Sequence, residues 1–388
     1  MLNFTFHAPT RIFFGKDQLT VLGDQILSYG RNILIVYGKG SIKKNGLYDA
    51  VVAQLRQHGI TFYELGGVDP NPRIATVREG AELCRRHQVQ LVLAIGGGSA
   101  IDCAKGIALA ACYAGDPWDF WLGKAQINEA LPVGSILTLA ATGSEMNWGS
   151  VITNETTEDK RGKGHPLLIP KFAILDPTYT YTVPPLQTAA GVADIMSHIF
   201  EYYFSPVTSA FLQDSFAEAV MRTCLKYGPV ACQEPDNYEA RANLMWASSM
   251  ALNGVVARGK TFDGTLHGIE HVISGLYDLT HGIGLAILAP SWLEYILGQN
   301  QQTQPKIAQL GRNIWGIDDP DNESAARESI QRLRQFYRSL NLPLSFHQVG
   351  IGSERFPEIA RKSVPNETLG VFNKLTHQDV LEILNQAR

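Results

Sequence analysis

The first half of the chain repeats one pattern of apolar and polar positions. Apolar runs rich in valine, isoleucine and leucine end in glycines or other turn residues, and stretches with helical spacing follow them. The pattern predicts buried strands at 32–38, 91–98, 135–143 and 172–177, with helices at 45–58 and 74–87. Strands that are apolar throughout and alternate with helices are typical of a parallel sheet covered on both faces.

The strand pattern fades after the double proline at 184 and 185, where a helix interior cannot continue. Helical spacing then predicts helices at 187–204, 209–226, 238–254, 264–275 and 284–298. We therefore expect an N-terminal α/β domain of the Rossmann-like nucleotide-binding type over residues 1–184. An all-α domain is expected over residues 185–388.

Composition and charge narrow the classes of protein to which the chain can belong. It has 388 residues, 45% of them hydrophobic, which is enough for more than one core. The 33 basic and 37 acidic residues are scattered, so no basic face for nucleic acid is expected. No apolar run reaches the roughly 18 residues that span a bilayer, and the N-terminus lacks the core of a signal peptide. We expect a cytoplasmic protein without nucleic-acid or membrane partners.

A glycine loop follows the apolar run at 91–98, in the segment AIGGGSAIDCAKG. Gly97, Gly98 and Ser99 precede a predicted helix, whose unpaired N–H groups and positive dipole end suit a diphosphate. The pattern departs from G-x-G-x-x-G because Ile101 stands at its last position. A tight strand-to-helix turn without a ligand is the alternative.

A second glycine loop, in ILIVYGKGSIKKNG, bears on the choice of coenzyme. Gly38, Gly40 and Ser41 are followed by two lysines, and no carboxylate appears before Asp49. An acidic residue here commonly holds the ribose 2′-hydroxyl of NAD, whereas small and basic residues leave room for a 2′-phosphate. The loop therefore favours NADP(H) over NAD(H), unless its lysines are ordinary surface residues.

Metal-ligand residues are concentrated in the helical half. Asp194 and His198 lie four positions apart on one predicted helix, so both project from one face. The segment TLHGIEHVISGLYDLTHGIG adds His267, His271 and His281 among apolar residues. One carboxylate and several imidazoles, without thiolate, suit Zn²⁺ or Fe²⁺. Five protein donors would leave little room for a substrate, and a catalytic metal must keep a position open, so one of these residues is not expected to be a ligand.

These motifs, in this order, resemble the iron-dependent, or group III, alcohol dehydrogenase family. The similarity runs over essentially the whole chain and is strongest to the branch of NADP-dependent aldehyde reductases and butanol dehydrogenases. It is carried by YGKGSIKKNG, DPNP, AIGGGSAID, TLAATGSE, ILDPTYTYTVPP, GVADIMSHIFEYY and the histidines of the 265–284 segment. The resemblance implies a dehydroquinate synthase-like fold and a homodimer.

The resemblance also implies roles for individual residues. The metal ligands would be Asp194, His198, His267 and His281, and His271 would face the nicotinamide and the substrate.

The coenzyme would contact further residues by the same resemblance. The pyrophosphate would lie on Gly97, Gly98 and Ser99, with Asp102 near the nicotinamide end. The remaining groove would be lined by Asn71, Thr138, Thr142 and Lys160. The adenosine 2′-phosphate would be surrounded by Gly38, Gly40, Ser41 and Lys44.

The expected activity is that of a metal-dependent, NADP(H)-linked alcohol dehydrogenase or aldehyde reductase acting on short-chain substrates. Hydride transfer needs the coenzyme and carbonyl carbon held together and a Lewis acid for the charge on oxygen. The alternatives on the same fold are enzymes like glycerol dehydrogenase or dehydroquinate synthase. A metal-dependent hydrolase would use the same ligands but would not need two glycine loops.

Overall fold

The computed structural model describes all residues from 1 to 388. Its strands are β1 (Arg11–Phe14), β2 (Asn32–Tyr37), β3 (Thr61–Leu65), β4 (Leu91–Gly96), β5 (Val133–Leu137), β6 (Gly149–Asn154), β7 (Asp159–Gly164) and β8 (Phe172–Leu175). Its first six helices are α1 (Leu22–Leu27), α2 (Ser41–Lys44), α3 (Leu47–Gln57), α4 (Ile74–Arg86), α5 (Gly98–Ala111) and α6 (Trp118–Trp121). The later helices are α7 (Pro185–Tyr203), α8 (Phe211–Gln233), α9 (Tyr238–Leu252), α10 (Thr265–Tyr277), α11 (His281–Gln299), α12 (Gln304–Leu310), α13 (Asn322–Ser339), α14 (Phe356–Ser363) and α15 (His377–Gln386).

Six strands form one parallel sheet in the order β1-β8-β5-β4-β2-β3. Side chains of β2 alternate between two hydrophobic cores, with Ile33 and Ile35 on one face and Leu34 and Val36 on the other. The apolar runs thus reflect burial on both faces, as the sequence predicted. Tyr37 of β2 pairs with Ile95 of β4, so the loops after these two strands leave the same edge of the sheet.

Each of the four predicted strands extends beyond the C-terminal end of the observed strand, and the run at 135–143 does so by the most residues. The apolar run at 135–143 leaves the sheet after Leu137, and Gly143 then adopts a left-handed conformation with φ of 58°. The run at 91–98 ends at Gly96 because a helix begins at Gly98. A further element, the antiparallel hairpin of β6 and β7, was not predicted because β7 consists of polar residues and glycines.

The chain forms two compact units, each made of separated segments. The helical unit comprises Met1–Phe6, Pro184–Glu234 and Met250–Arg388, and the α/β unit comprises His7–Val183 and Pro235–Ser249. This differs from the predicted division at residue 184, because most of α9 packs with the α/β unit. Trp246 of α9 meets Phe14 edge-on at 5.9 Å between ring centroids, and Lys16 lies 4.7 Å from the ring centroid of Tyr238.

Helices α7 and α11 form the centre of the helical unit and are buried along most of their length. They approach at backbone distance, since a Cβ atom built on Gly282 would lie 2.0 Å from the carbonyl oxygen of Ala190. Most of the buried residues of both helices are apolar, as expected for helices in the interior of a protein. None of the helices combines the length and the apolar character that a membrane span needs.

Candidate metal centre and coenzyme groove

The loop after β4 turns from strand to helix within two residues. Gly97 precedes the first residue of α5, Gly98, so the helix presents its free N–H groups at the edge of the sheet. A Cβ on Gly98 would lie 2.3 Å from Thr142 Oγ1, which explains why glycine is needed there. The Ser99 hydroxyl donates to the carbonyl of Pro70. Glycine, helix N-terminus and open sheet edge together suit a diphosphate.

Asp102 is held by the segment that follows β5. Its Oδ1 accepts from the Ser144 hydroxyl, and its Oδ2 accepts from the backbone N–H of Val151 at 2.9 Å. Burial raises the pKa of Asp102, an effect that the charge of Lys105 opposes. The structure thus places the carboxylate in a network within the α/β unit.

Lys105 is the charged centre of this network and is fully buried. Its Nζ lies 2.8–3.0 Å from four acceptors, on Ser144, Asn147 and Gly149. Burial lowers the pKa of Lys105 to about 8, against the opposing charges of Asp102 and Glu145. The lysine therefore fixes the loop between β5 and β6, which contains Thr142.

The Gly38 loop, residues 38–44, lies after β2 and contains the short helix α2. Gly40 precedes that helix with φ of 104°, a conformation suited to glycine. Lys39 pairs with Asp69 at 2.8 Å, and Lys43 Nζ lies 3.5 Å from Glu64 Oε2. Glu64 belongs to β3, beside β2, so the sheet brings a carboxylate to the loop that sequence order had not revealed.

Two tyrosines complete the surroundings of Glu64. Tyr37 donates to its Oε2 at 2.8 Å, and Tyr48 donates to its Oε1. The hydrogen bond to Glu64 raises the pKa of Tyr48 to about 12. Lys43 Nζ lies 4.5 Å and 5.0 Å from the ring centroids of Tyr48 and Tyr37. Lys44, in contrast, is exposed.

The other predicted coenzyme residues lie on loops and strands of the same unit. Asn71 is buried in the turn before α4. Thr138 follows β5 directly and donates its N–H to the carbonyl of Gly96 at 3.0 Å, which joins it to the end of β4. Lys160 lies on β7 and is half-buried.

The proposed metal ligands converge within the helical unit. One ligand atom from each of Asp194, His267 and His281 lies within 4.8 Å of the others. His198 is adjacent, with Nδ1 3.5 Å from Asp194 Oδ1 and its ring stacked on His267 at 4.7 Å. His281 Nε2 lies 3.7 Å from Asp194 Oδ1. Helices α7, α10 and α11 thus bring the four residues together.

These donors fit a divalent ion. Nε2 of His267 and Nδ1 of His198 are buried and make no hydrogen bond. Burial, and then the neighbouring imidazoles, lower the pKa of His198 well below its usual value, which keeps its nitrogen lone pair free of a proton. One oxygen and three nitrogen donors suit Zn²⁺ or Fe²⁺, and an ion that takes more than four ligands would keep a position open for another group.

His271 lies beside this cluster and is half-buried. Its ring centroid is 5.5 Å from that of His281 and 6.0 Å from that of His267. It shares a second potential cluster with Glu270 and His281. His271 is therefore close enough to the proposed ligands to contact a group bound beside them.

Two buried glutamates contact the histidines and were missed by the sequence analysis. Glu201 Oε1 lies 2.9 Å from His267 Nδ1, and Glu270 Oε2 contacts His281 Nδ1. Both side chains are fully buried, which is rare for glutamate. The only sequence signal was their position inside apolar helices, three residues after His198 and His267 respectively.

The α/β unit has glycine loops of the kind that bind diphosphates, and the helical unit has a set of donors of the kind that binds a divalent metal. This combination is typical of metal-dependent, nucleotide-linked oxidoreductases. The family model for iron-containing alcohol dehydrogenase matches residues 9–177. The model for the C-terminal region of the Fe-containing alcohol dehydrogenase family matches residues 188–388. The chain belongs to the iron-containing alcohol dehydrogenase family, as its motifs predicted.

Individual relatives match over all or most of the chain. The chain is 52% identical over 390 aligned positions to NADH-dependent butanol dehydrogenase A of Clostridium acetobutylicum, covering 100% of both chains. It is 39% identical over 366 residues to the NADPH-dependent aldehyde reductase YqhD of Escherichia coli, covering 93% of each. The crystal structure of NADH-dependent butanol dehydrogenase A from Thermotoga maritima matches with a TM-score of 0.96 at 40% identity, covering 100% of this chain and 99% of that one.

The family assignment has three consequences. The chain is an NAD(P)-dependent alcohol dehydrogenase, so the predicted class of enzyme is confirmed. Membership implies a nicotinamide coenzyme and a divalent metal. It also removes the hydrolase alternative.

Proposed function

We propose that this protein interconverts short-chain aldehydes and primary alcohols by hydride transfer with a nicotinamide coenzyme. The observation that carries the proposal is the set of one carboxylate and three imidazoles, of which Asp194, His198 and His267 are buried and His281 is half-buried, with His267 Nε2 left without a hydrogen bond. The names of relatives support the substrate class, since they include butanol dehydrogenases and an aldehyde reductase. We assign Fe²⁺ or Zn²⁺ to Asp194, His198, His267 and His281.

The reaction adds hydride from nicotinamide C4 to the carbonyl carbon, and the carbonyl oxygen takes up a proton. Asp194, His198, His267 and His281 would hold a divalent ion, which would supply Lewis-acid stabilisation of the charge that develops on that oxygen. We assign the diphosphate of the coenzyme to Gly97, Gly98 and Ser99 at the N-terminus of α5. His271 is assigned to proton delivery, directly or through the ribose hydroxyls or water. The apolar residues of α10 and α11 exclude bulk water from the ligands.

Metal removal tests the proposal directly. Lewis-acid stabilisation contributes several kcal/mol in such reactions, so chelation should lower the reduction of butanal at least about a thousandfold. Coenzyme binding, followed by nicotinamide fluorescence, should change little, and added Fe²⁺ or Zn²⁺ should restore turnover. Full activity of a metal-free sample in the presence of chelator would overturn the ligand assignment.

His271→Ala tests the catalytic assignment. Loss of a group that delivers a proton should lower kcat by about 10²- to 10⁴-fold, while bound metal per chain stays unchanged. Elemental analysis and steady-state kinetics measure the two quantities on one sample. Loss of metal from this variant would make His271 a ligand instead.

The coenzyme preference stays a prediction, and NADP(H) over NAD(H) is the hypothesis to test. It rests on the glycines of the Gly38 loop, Ser41 and the exposed Lys44. Two observations oppose it, since Lys39 and Lys43 are paired with carboxylates and the relative at 52% identity is called NADH-dependent. The ratio of kcat/KM for NADPH to that for NADH decides the question, and a value below one refutes the hypothesis.

The homodimer and the cytoplasmic location also stay predictions. Light scattering coupled to size exclusion tests the first, with an expected mass twice that of the 42.7 kDa chain. Cell fractionation tests the second.

A further inference from the structure

We infer that Glu201 and Glu270 are positioning residues that orient two of the proposed metal ligands. The inference rests on the proposed function, because it concerns the same metal centre. It deepens that proposal by naming groups that contact neither coenzyme nor substrate but set which nitrogen of each imidazole binds the ion.

Glu201 fixes His267 through both the ring and the backbone. Its Oε1 lies 2.9 Å from His267 Nδ1 and accepts from the backbone N–H of His267 at 2.9 Å. Its Oε2 accepts from the N–H of Gly264 at 2.7 Å, so the carboxylate also caps the first turn of α10. Because a carboxylate only accepts, the proton of the neutral imidazole lies on Nδ1, and Nε2 presents its lone pair to the ligand cluster.

Glu270 has the same relation to His281. Its Oε2 contacts His281 Nδ1, and its other oxygen accepts from the Ser274 hydroxyl. This arrangement directs His281 Nε2 toward Asp194, whose Oδ1 is 3.7 Å away. A Cβ on Gly284 would lie 2.9 Å from Glu270 Cγ, so glycine at this position of α11 gives the glutamate its room.

The two glutamates act in sequence across three helices. Glu201 belongs to α7 and orients a histidine of α10, whereas Glu270 belongs to α10 and orients the first residue of α11. Each carboxylate therefore links the helix on which it lies to a proposed metal ligand on the helix that follows. Buried carboxylates bonded to the second nitrogen of ligand histidines raise ligand basicity and fix ring orientation.

Metal competition with Glu201→Gln and Glu270→Gln tests the inference, using Co²⁺ as a spectroscopic probe in the full chain. Each variant should bind Co²⁺ about 10- to 100-fold more weakly than wild type in chelator competition. The visible absorption spectrum of bound Co²⁺ should also change, since ring orientation alters the ligand field. Glu294→Gln is the matched control, because Glu294 is an exposed glutamate of α11 paired only with Arg334.

Separate readouts distinguish the failure of the inference from that of the proposed function. Co²⁺ affinities within twofold of wild type, together with unchanged Co²⁺ spectra, in both variants would overturn the positioning role. Such a result would leave the proposed function standing. A wild-type protein that binds the ion but reduces no aldehyde would overturn the proposed function alone. If loss of the helix cap unfolds Glu201→Gln, Glu270→Gln decides the outcome, because Glu270 contacts the side chains of His281 and Ser274.

Discussion

The proposed metal centre and the Gly38 loop both contain charged side chains, but in opposite surroundings. At the metal centre, Glu201 and Glu270 are fully buried and each has a defined partner. In the loop, Lys39 and Lys43 expose 71% and 47% of their side chains and pair with partly exposed carboxylates. A buried charge that loses its partner has no water to replace it, whereas an exposed pair exchanges its partner for water at little cost. Single substitutions should therefore have large effects in one region and small effects in the other.

The largest effect is expected where the ligand-bearing helices touch. Gly282→Ala would place a Cβ 2.0 Å from the backbone oxygen of Ala190, and neither backbone can move without displacing His281 or Asp194. We expect a loss of about 3 kcal/mol or more in unfolding free energy, which for a chain of 388 residues corresponds to a fall of about 4 °C or more in melting temperature.

Thermal unfolding followed by circular dichroism measures this effect. Gly298→Ala is the control, because it lies on the same helix and no atom approaches its Cβ position within 4 Å. The control should be neutral or slightly stabilising, by up to about 1 kcal/mol. Equal melting temperatures of the two variants would contradict the close helix approach.

We expect burial of a charged side chain, rather than proximity to the proposed metal centre, to make the protein sensitive to single substitutions. Lys105→Met in the α/β unit would leave four acceptors without their cation, including the Ser144 hydroxyl and the carbonyl of Gly149. Breaking such a buried network should cost about 3 kcal/mol and weaken coenzyme binding, because the loop containing Thr142 loses its anchor.

Melting temperature and coenzyme titration measure the two consequences. Lys124→Met, at an exposed position of the same unit, should change neither. If the Lys105→Met protein were as stable as the control, the α/β unit would tolerate the loss of a buried charge. That result would contradict the idea that burial alone causes the sensitivity.

The smallest effect is expected in the Gly38 loop. Glu64→Gln removes the carboxylate that pairs with Lys43, which leaves more positive charge for a 2′-phosphate. The ratio of kcat/KM for NADPH to that for NADH should rise about two- to fivefold, the range of a single exposed pair. Glu82→Gln, an exposed carboxylate paired with Arg86 on α4, should leave the ratio unchanged. A change of a hundredfold would mean that the loop is as sensitive as a buried site.

The sequence predicted the central strands of the α/β sheet better than the segments that connect them. The strands at 32–38 and 91–98 could be predicted because burial on both faces of the sheet makes nearly every residue apolar. The hairpin of β6 and β7 could not be predicted, because the segment DKRGKG has no alternation of apolar and polar residues. Backbone pairing with β6 makes this polar segment a strand.

The candidate site divides in the same way. Spacing brought Asp194 and His198 onto one helix face, and family resemblance selected two further histidines. Glu201, Glu270 and Glu64 escaped notice because glutamate in a sequence normally indicates a solvated surface. Only the packing of α7, α10 and α11, and of β2 beside β3, turns these glutamates into partners of histidines and lysines.

The interrupted course of the chain limits how the enzyme can be divided or recombined. A fragment ending at residue 184 would lack Trp246, which packs on Phe14, and Ser249, whose hydroxyl donates to the buried Glu145. Gene fusions that exchange the nucleotide-binding part between relatives should therefore transfer residues 7–183 and 235–249 together. A single crossover near residue 184 would combine the α/β segment 7–183 of one relative with helix α9 of another. The residues of that helix would not be matched to the sheet against which they pack.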